Sequence, residues 1–247
     1  MITSVTESNL VLRLAAPIAW RSESRIAAKL MGFSATEHGS ALDMMRAAEL
    51  SSDADHRRLF FRHALDEHRH ARRFAELARR IDPGARARSH ERHHAEPQDL
   101  YRRLGPTRFL AFVHLSESQA ERQFQTLARH FQASRHAHAP ILYSLFSELA
   151  REEHVHVAYS RHLLERSFPE TTRQHDVQRA LRRERRALAW AAWKRAGFRI
   201  GDRLVALLML ILFIAVLPPF ALIKRLTRKE NAGWQLASAT HDPRRAA

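Results

Sequence analysis

The stretch Asp66-Glu67-His68-Arg69-His70 recurs almost letter for letter as Glu152-Glu153-His154-Val155-His156. Both copies contain a Glu and a His that are three residues apart. On an α-helix, residues at this spacing share one face about a turn apart, so the carboxylate of Glu67 and the imidazole of His70 can bind one metal ion. The second copy repeats this geometry. The sequence therefore predicts two helices that each present a Glu-x-x-His pair to a metal centre.

Composition limits the class of protein. A chain of 247 residues with 45% hydrophobic content can bury one sizeable core, or one core plus a membrane element. Because the chain contains no cysteine, disulfides, thiolate zinc sites, iron–sulfur clusters and cysteine nucleophiles are excluded, and any metal must be held by nitrogen and oxygen. The net charge of +15 favours an anionic partner, either nucleic acid or phospholipid headgroups.

Apolar residues at helical spacing predict the first two long helices. Glu37 falls on the apolar stripe of a helix that begins near Ser34 and ends near residues 51–53. A second helix, over residues 53–81, carries Glu67 and His70 on its own stripe. The short turn makes the two helices antiparallel, and Glu37 lies 15 residues before residue 52 whereas Glu67 lies 15 after it. The two carboxylates are therefore expected to meet at the same depth.

Two more helices repeat this hairpin. The stripe of the third includes Glu117, and Glu121 flanks the same stripe one turn later. Glu121 is an alternative ligand, a hydrogen-bond acceptor near the metal, or the partner of a neighbouring arginine. A fourth helix begins at Ala139-Pro140 and carries Glu153 and His156 on its inner stripe.

These positions predict a two-metal centre inside a four-helix bundle, with six ligands: Glu37, Glu67, His70, Glu117, Glu153 and His156. The alternative is that the same residues form surface salt bridges on arginine-rich helices. Burial favours metal, because carboxylates on the apolar stripes of four helices are costly to bury without cations. We expect two iron ions, with manganese also possible.

Three further residues lie near the predicted ligands. Asp66 and Glu152 precede the two motifs and suit acceptors for the outer N–H groups of the histidine ligands, although a solvated position suits each of them nearly as well. His63 shares the stripe of Glu67, and we predict a core histidine satisfied by hydrogen bonds rather than a seventh ligand.

A third Glu-x-x-His match, Glu91 to His94, tests how specific the motif is. A chain with 17 His and as many Glu is expected to contain about one accidental match. This match lies in a polar, Arg- and His-rich connection without helical periodicity, between Asp82-Pro83-Gly84 and Gly105-Pro106. We therefore predict a solvated basic loop here, not a metal site.

Four segments together resemble a known family: residues 36–41, 66–74, 117–120 and 152–156. They look like the 5-demethoxyubiquinone hydroxylase family, which are membrane-associated ferritin-like di-iron monooxygenases of quinone biosynthesis. The resemblance covers roughly residues 30–165, and its ligand separations favour Glu117 over Glu121. It implies an all-α, ferritin-like four-helix bundle, the same six metal ligands and a quinone-like substrate.

The C-terminal third carries a membrane signal. Residues 169–203 form a basic segment with Trp190 and Trp193, as expected of an amphipathic helix at a headgroup layer. Residues 204–223 are 20 residues without a charge, followed by a basic tail over residues 224–247. Pro218-Pro219 leaves a membrane hairpin as an alternative to a straight span, and a buried soluble helix is a further alternative.

The predicted layout has two parts before these C-terminal segments. Residues 1–31 form a lead-in helix that Pro17 divides, lying either on a surface or in ordinary packing, and residues 32–168 form the bundle. Residues 1–9 lack the basic region and apolar run of a secretory signal, which favours a catalytic domain on the cytoplasmic side of the inner membrane.

The predicted function is a membrane-anchored di-iron oxygenase that hydroxylates a lipophilic, quinone-like substrate with O₂. The predicted partners are membrane lipids and this substrate; electrons would come from a reductase or from the quinol, and nucleic acid is disfavoured. Three alternatives stay open: a ferritin-like or rubrerythrin-like protein that handles iron or peroxide, a di-iron tRNA hydroxylase, and a non-enzymatic membrane scaffold.

Overall fold

The protein is all-helical over residues 16–84 and 99–226, which are the residues that the computed structural model describes, and no strand occurs among them. A short helical turn over residues 16–19 precedes six helices: α1 (Glu23–Leu50), α2 (Ala54–Ile81), α3 (Leu100–Leu104), α4 (Pro106–Gln132), α5 (Ala139–Arg166) and α6 (Arg173–Leu226). The predicted all-α class is thus confirmed. The Glu91–His94 match, residues 1–15 and the tail from residue 227 lie outside the described residues.

Local sequence signals set several helix ends. The carboxylate of Asp53 caps α2 by accepting hydrogen bonds from the backbone N–H groups of Asp55, at 2.8 Å, and His56, at 2.9 Å. Gly105 has a φ of 74°, a conformation that favours glycine, and Pro106 follows it in the first turn of α4. The cap at Asp53 explains why the predicted bounds of α2, residues 53–81, agree with the structure to within a residue. The predicted start of α5 at Ala139-Pro140 also agrees with the structure.

The predicted boundary between a lead-in helix and a bundle helix at residues 31–32 is wrong, because α1 runs without a break from Glu23 to Leu50. No proline or cap interrupts this stretch, and Gly32 is tolerated inside the helix. Ile26 and Leu30 are fully buried, so this segment packs in the core and does not lie on a surface. Trp20, just before α1, packs edge-on against Phe131 and Phe146.

The four long helices α1, α2, α4 and α5 share one hydrophobic core. α1 packs along α2, α4 packs along α5, and α2 also contacts α5. At one level, the rings of Phe74, Phe124 and Phe146 lie 5.8 to 6.0 Å apart. At another level, Phe60 and Phe109 pack against Tyr101 of α3, a helix that the sequence did not predict. On α2, Glu67 lies midway between Phe60 and Phe74, so the polar residues occupy the layer between these aromatic groups.

The chain divides into two compact units, Met1–Ala187 and Leu188–Ala247. In the first unit, the beginning of α6 buries Val177, Leu181 and Glu184. In the second unit, every described side chain from residue 200 to 226 is exposed.

The C-terminal helix corrects two predictions. The helix continues through Pro218-Pro219, so the hairpin alternative is wrong for the described residues, and residues 203 and 204 do not form a helix boundary. The apolar residues are exposed, so the buried soluble helix is also wrong. Among the described residues, α6 alone has the length and apolar composition that a membrane span requires.

Candidate metal centre

All six predicted ligands are buried in one layer between the four long helices. α1 provides Glu37, α2 provides Glu67 and His70, α4 provides Glu117, and α5 provides Glu153 and His156. None of these residues exposes more than 7% of its surface. The sequence pattern thus placed each residue on the correct face of its helix.

Glu67 lies at the centre of this layer. Its Oε1 atom is 3.8 Å from Nδ1 of His70 and 3.4 Å from Nδ1 of His156, so it contacts the histidines of both motifs. Glu37 lies within hydrogen-bonding contact of Glu67, as the register across the α1–α2 turn predicts.

Glu153 occupies the equivalent position on α5. One of its oxygens is 3.2 Å from Nδ1 of His70, and the other is 3.1 Å from Nδ1 of His156. Glu117 of α4 lies beside it in hydrogen-bonding contact. Each Glu-x-x-His pair therefore faces the other, and both histidines turn Nδ1 toward the carboxylates.

The candidate ligand atoms form two groups that share Glu67. The first group is His63, Glu67, Glu117 and His156; the second is Glu37, Glu67 and His70. Within each group, the atoms that could bind a metal lie within 4.8 Å of one another. Two neighbouring ions with a shared carboxylate would fit this arrangement.

His63 and Tyr159 were not predicted as part of the site. Nε2 of His63 is 3.0 Å from Oε1 of Glu67, and its Nδ1 is hydrogen-bonded to the hydroxyl of Tyr159. His63 is therefore hydrogen-bonded at both nitrogens, as predicted for a core histidine, but it also belongs to the first ligand group. The only signal in the sequence was its place on the stripe four residues before Glu67.

Glu121 lies outside the cluster. Its side chain remains 17% exposed, and its Oε1 atom is 3.0 Å from Nδ1 of His154. Since Glu117 is buried beside Glu153 and Glu121 is not, the geometry favours Glu117 as the candidate ligand of α4.

The outer nitrogens of the two histidines contact carboxylates across the α2–α5 interface. Nε2 of His70 is 2.7 Å from Glu152, and Nε2 of His156 is 3.4 Å from Asp66. The predicted role of both acids as hydrogen-bond acceptors is thus confirmed. Each acid contacts the histidine of the other motif because α2 and α5 are antiparallel. Asp66 lies opposite His156, and Glu152 lies opposite His70.

Arg69 joins these two acids. Its Nη2 atom is 2.9 Å from Asp66 and 3.2 Å from Glu152, so one guanidinium holds the acceptors of both histidines. We expect Arg69→Leu to weaken metal binding roughly 10-fold or more, as is usual when the support of a ligand is lost. Competition with a coloured chelator measures this change. Arg72→Leu, an exposed arginine one turn away, is the control and is expected to leave affinity unchanged.

Burial and mutual repulsion set the charges of the cluster in the metal-free protein. Desolvation, followed by the charges of neighbouring carboxylates, holds the pKa values of Glu67 and Glu117 well above the usual range. For Glu153, contacts with the two histidines outweigh the desolvation and lower its pKa. For His156, desolvation is outweighed by contacts with Asp66 and Glu153, which raise its pKa to about 9. The free centre therefore holds protons that a divalent cation would displace.

These protonations predict how the stability of the metal-free protein depends on pH. Above pH 6.5, unfolding releases the proton that His156 retains only in the folded state, so the free energy of unfolding should fall as pH rises toward 9. The raised pKa values of Glu67 and Glu117 act in the same direction. The shift of His156 from 6.5 to about 9 corresponds to a loss of about 3 kcal/mol. Bound metal replaces these protons, so the gap in Tm between metal-loaded and chelator-treated protein should widen with pH. Parallel Tm curves would contradict this expectation.

A cavity of about 680 Å³ adjoins the cluster between α1 and α4. Its wall includes the carboxylate-bearing residues Glu37, Glu67 and Glu117. The remaining lining combines aromatic and aliphatic side chains with a further carboxylate and with hydroxyl and amide groups: Phe33, Met44, Phe109, Phe112, Val113 and Phe124, with Asp43, Thr36, Ser40, Ser116, Gln119 and Gln123. The sequence did not predict this cavity, which depends on the separation between two helices.

The donor set fits divalent metal ions. Nδ1 of His70 and Oε1 of Glu153 are buried 3.2 Å apart, but neither makes a well-formed hydrogen bond, although buried polar atoms usually do. Nitrogen and carboxylate donors suit iron and manganese, and four buried carboxylates would balance the charge of two divalent cations. No protein-family model, curated protein or solved structure matches the chain, so the donor set and its geometry carry the functional argument.

Proposed function

We propose that the protein is a ferritin-like di-iron oxygenase, anchored in a membrane by α6, that hydroxylates a lipophilic, quinone-like substrate with O₂. The observation that carries this proposal is the buried cluster of four glutamates and three histidines in contact with a cavity whose wall carries four phenylalanines. An ordinary core would not bury four carboxylates together, because desolvation and mutual repulsion both oppose it.

The metal would be held by the six predicted ligands. Glu67 would be shared between two ions because it belongs to both ligand groups, and Glu153 lies between the two histidines to complete the set. When bound, a pair of iron ions supplies the capacity to activate O₂, and hydroxylation then consumes two electrons and two protons and yields one water. Asp66, Glu152 and Arg69 hold the histidines so that their Nδ1 atoms face inward.

The cavity would bind the substrate. Phe33, Phe112 and Phe124 supply flat apolar surfaces for a ring and its hydrocarbon chain. Ser116 and Gln119 provide hydrogen-bonding groups that could orient ring oxygens. The apolar side chains of this wall would limit the access of water to the carboxylate layer, which would protect a reactive centre from side reactions.

The proposed membrane anchor, α6, is the reason for proposing a lipophilic substrate. α6 continues for 20 uncharged residues, Leu204 to Ile223, with its side chains exposed. Trp190 and Trp193 stack at 4.9 Å in the preceding basic stretch, as aromatic residues do at a headgroup layer. Anionic lipid headgroups would suit the basic residues on both flanks of this stretch, and we propose that the catalytic domain lies on the cytoplasmic side.

The test uses the full-length protein in lipid nanodiscs, loaded with iron under anaerobic conditions and then exposed to O₂ and a reductant. With a demethoxylated quinone present, mass spectrometry is expected to detect a product heavier by one oxygen atom, labelled when ¹⁸O₂ is used. Oxygen uptake that yields only ferric iron would instead identify an iron- or peroxide-handling protein. Salt-sensitive RNA binding with hydroxylation of tRNA would identify the nucleic-acid alternative, and a metal-free purified protein would indicate a scaffold.

A further inference from the structure

We propose that His63 is a third histidine ligand of the metal centre, bound through Nε2, so that the two metal positions have different ligands. This inference rests on the proposed metal site and adds a ligand that lies outside the Glu-x-x-His repeat. The first position would take His63, His156, Glu67 and Glu117, and the second would take His70, Glu37 and Glu67.

The placement of Nε2 supports this role. It lies 3.0 Å from Oε1 of Glu67 and 3.7 Å from Oε1 of Glu117. The centroid of the His63 ring is 3.8 Å from that of His156, and the two ring planes are tilted by 31°. His63 is 1% exposed, so water does not compete for this nitrogen. A metal ion bound by Glu67, Glu117 and His156 would therefore lie within reach of His63.

Tyr159 is hydrogen-bonded to the other nitrogen of the His63 ring. Its hydroxyl contacts Nδ1 of His63 and can accept the proton of that nitrogen, which leaves the Nε2 lone pair free for metal. Like His70 and His156, His63 thus has one ring nitrogen directed toward the candidate metal position and the other hydrogen-bonded to a side chain. That side chain is a phenol for His63 and a carboxylate for His70 and His156.

A comparison of equivalent positions around the two Glu-x-x-His motifs shows why the two metal positions would differ. His63 lies four residues before Glu67, and the equivalent position four residues before Glu153 is Leu149, which is fully buried. Tyr159 lies six residues after Glu153, and its equivalent six residues after Glu67 is Arg73. The His63–Tyr159 pair therefore joins the helices of the two motifs, and its equivalent positions hold Leu149 and Arg73 instead. The metal near His63 would be richer in nitrogen.

The test compares His63→Leu and His63→Gln with wild type, using the full-length protein in detergent and loading with ⁵⁷Fe(II) under anaerobic conditions. Wild type is expected to bind two ions that give two Mössbauer quadrupole doublets of equal area. In His63→Leu, one ion should bind roughly 100-fold more weakly in chelator competition and its doublet should be lost. His63→Gln keeps a hydrogen-bonding group at similar reach, so a purely structural role predicts a wild-type spectrum, whereas a ligand role predicts that one doublet shifts.

His114→Leu is the matched control. His114 is a half-buried histidine of α4 whose Nδ1 is 3.2 Å from the carbonyl oxygen of Val157, outside both ligand groups. This variant should keep both ions and both doublets. Two ions with wild-type affinity and spectra in both His63 variants would overturn the inference but leave the metal site intact. A wild-type protein that binds no iron would overturn both.

Discussion

Glu67→Ala is expected to abolish binding of both metal ions, because Glu67 is the carboxylate that the two ligand groups share. The loss should exceed the roughly 100-fold change that follows from removing a supporting hydrogen bond. Metal analysis after gel filtration measures the ions that remain per chain, and hydroxylation should disappear with them. His156→Ala removes a ligand of the first group and should also lose that ion.

The fold should survive this substitution. Burial and neighbouring charges raise the pKa of Glu67, so its carboxyl group disfavours the metal-free folded state near neutral pH. Metal-free Glu67→Ala should therefore melt no lower than metal-free wild type, apart from the small cost of lost packing. Glu76→Ala is the control, since this glutamate is exposed on the same helix, where it pairs with Arg72. Unchanged metal content in Glu67→Ala would reject the proposed centre.

The paired substitution Leu208→Arg with Ile211→Arg is expected to release the protein from membranes. Both residues lie within the uncharged stretch of α6 and are exposed. Each arginine near the middle of a spanning helix costs roughly 2.5 to 3.5 kcal/mol of insertion free energy, so the pair opposes insertion by about 6 kcal/mol. The fraction of protein in carbonate-washed membranes measures the effect.

The control introduces the same two charges elsewhere. Phe61 and Leu65 are exposed apolar residues of α2, so Phe61→Arg with Leu65→Arg changes net charge equally without touching α6. This control should remain in the membrane fraction. If wild type is recovered in the soluble fraction, or if the α6 variant stays with the membrane, the proposed anchor is wrong.

These two experiments separate the components of the proposed function. A protein that loses metal in Glu67→Ala but remains membrane-bound shows that the centre and the anchor are independent. A protein that keeps metal after release from the membrane could still be an oxygenase, and hydroxylation of a short-chain quinone would then show whether the cavity alone selects the substrate.

Much of the fold could be predicted because each long helix carries its own signals. Asp53 caps α2, Pro106 follows the left-handed Gly105 at the start of α4, and the apolar stripes keep a three-four spacing. The predicted boundary between the lead-in helix and the bundle was wrong because no sequence signal separates residues 31 and 32. Pro218-Pro219 suggested a break, because proline in a helix interior removes a hydrogen bond and clashes with the preceding turn, but α6 continues through the pair.

The candidate site was likewise predictable from the sequence only in part. By itself, the sequence determined the six candidate ligands, because the Glu-x-x-His repeat and the apolar stripes identify which carboxylates face inward. Only the tertiary structure decided the crossed contacts of Asp66 and Glu152, the inward Nε2 of His63 and the cavity between α1 and α4. Helical periodicity specifies the face of one helix, whereas these features depend on the distance and register between helices, which arise only when the helices pack.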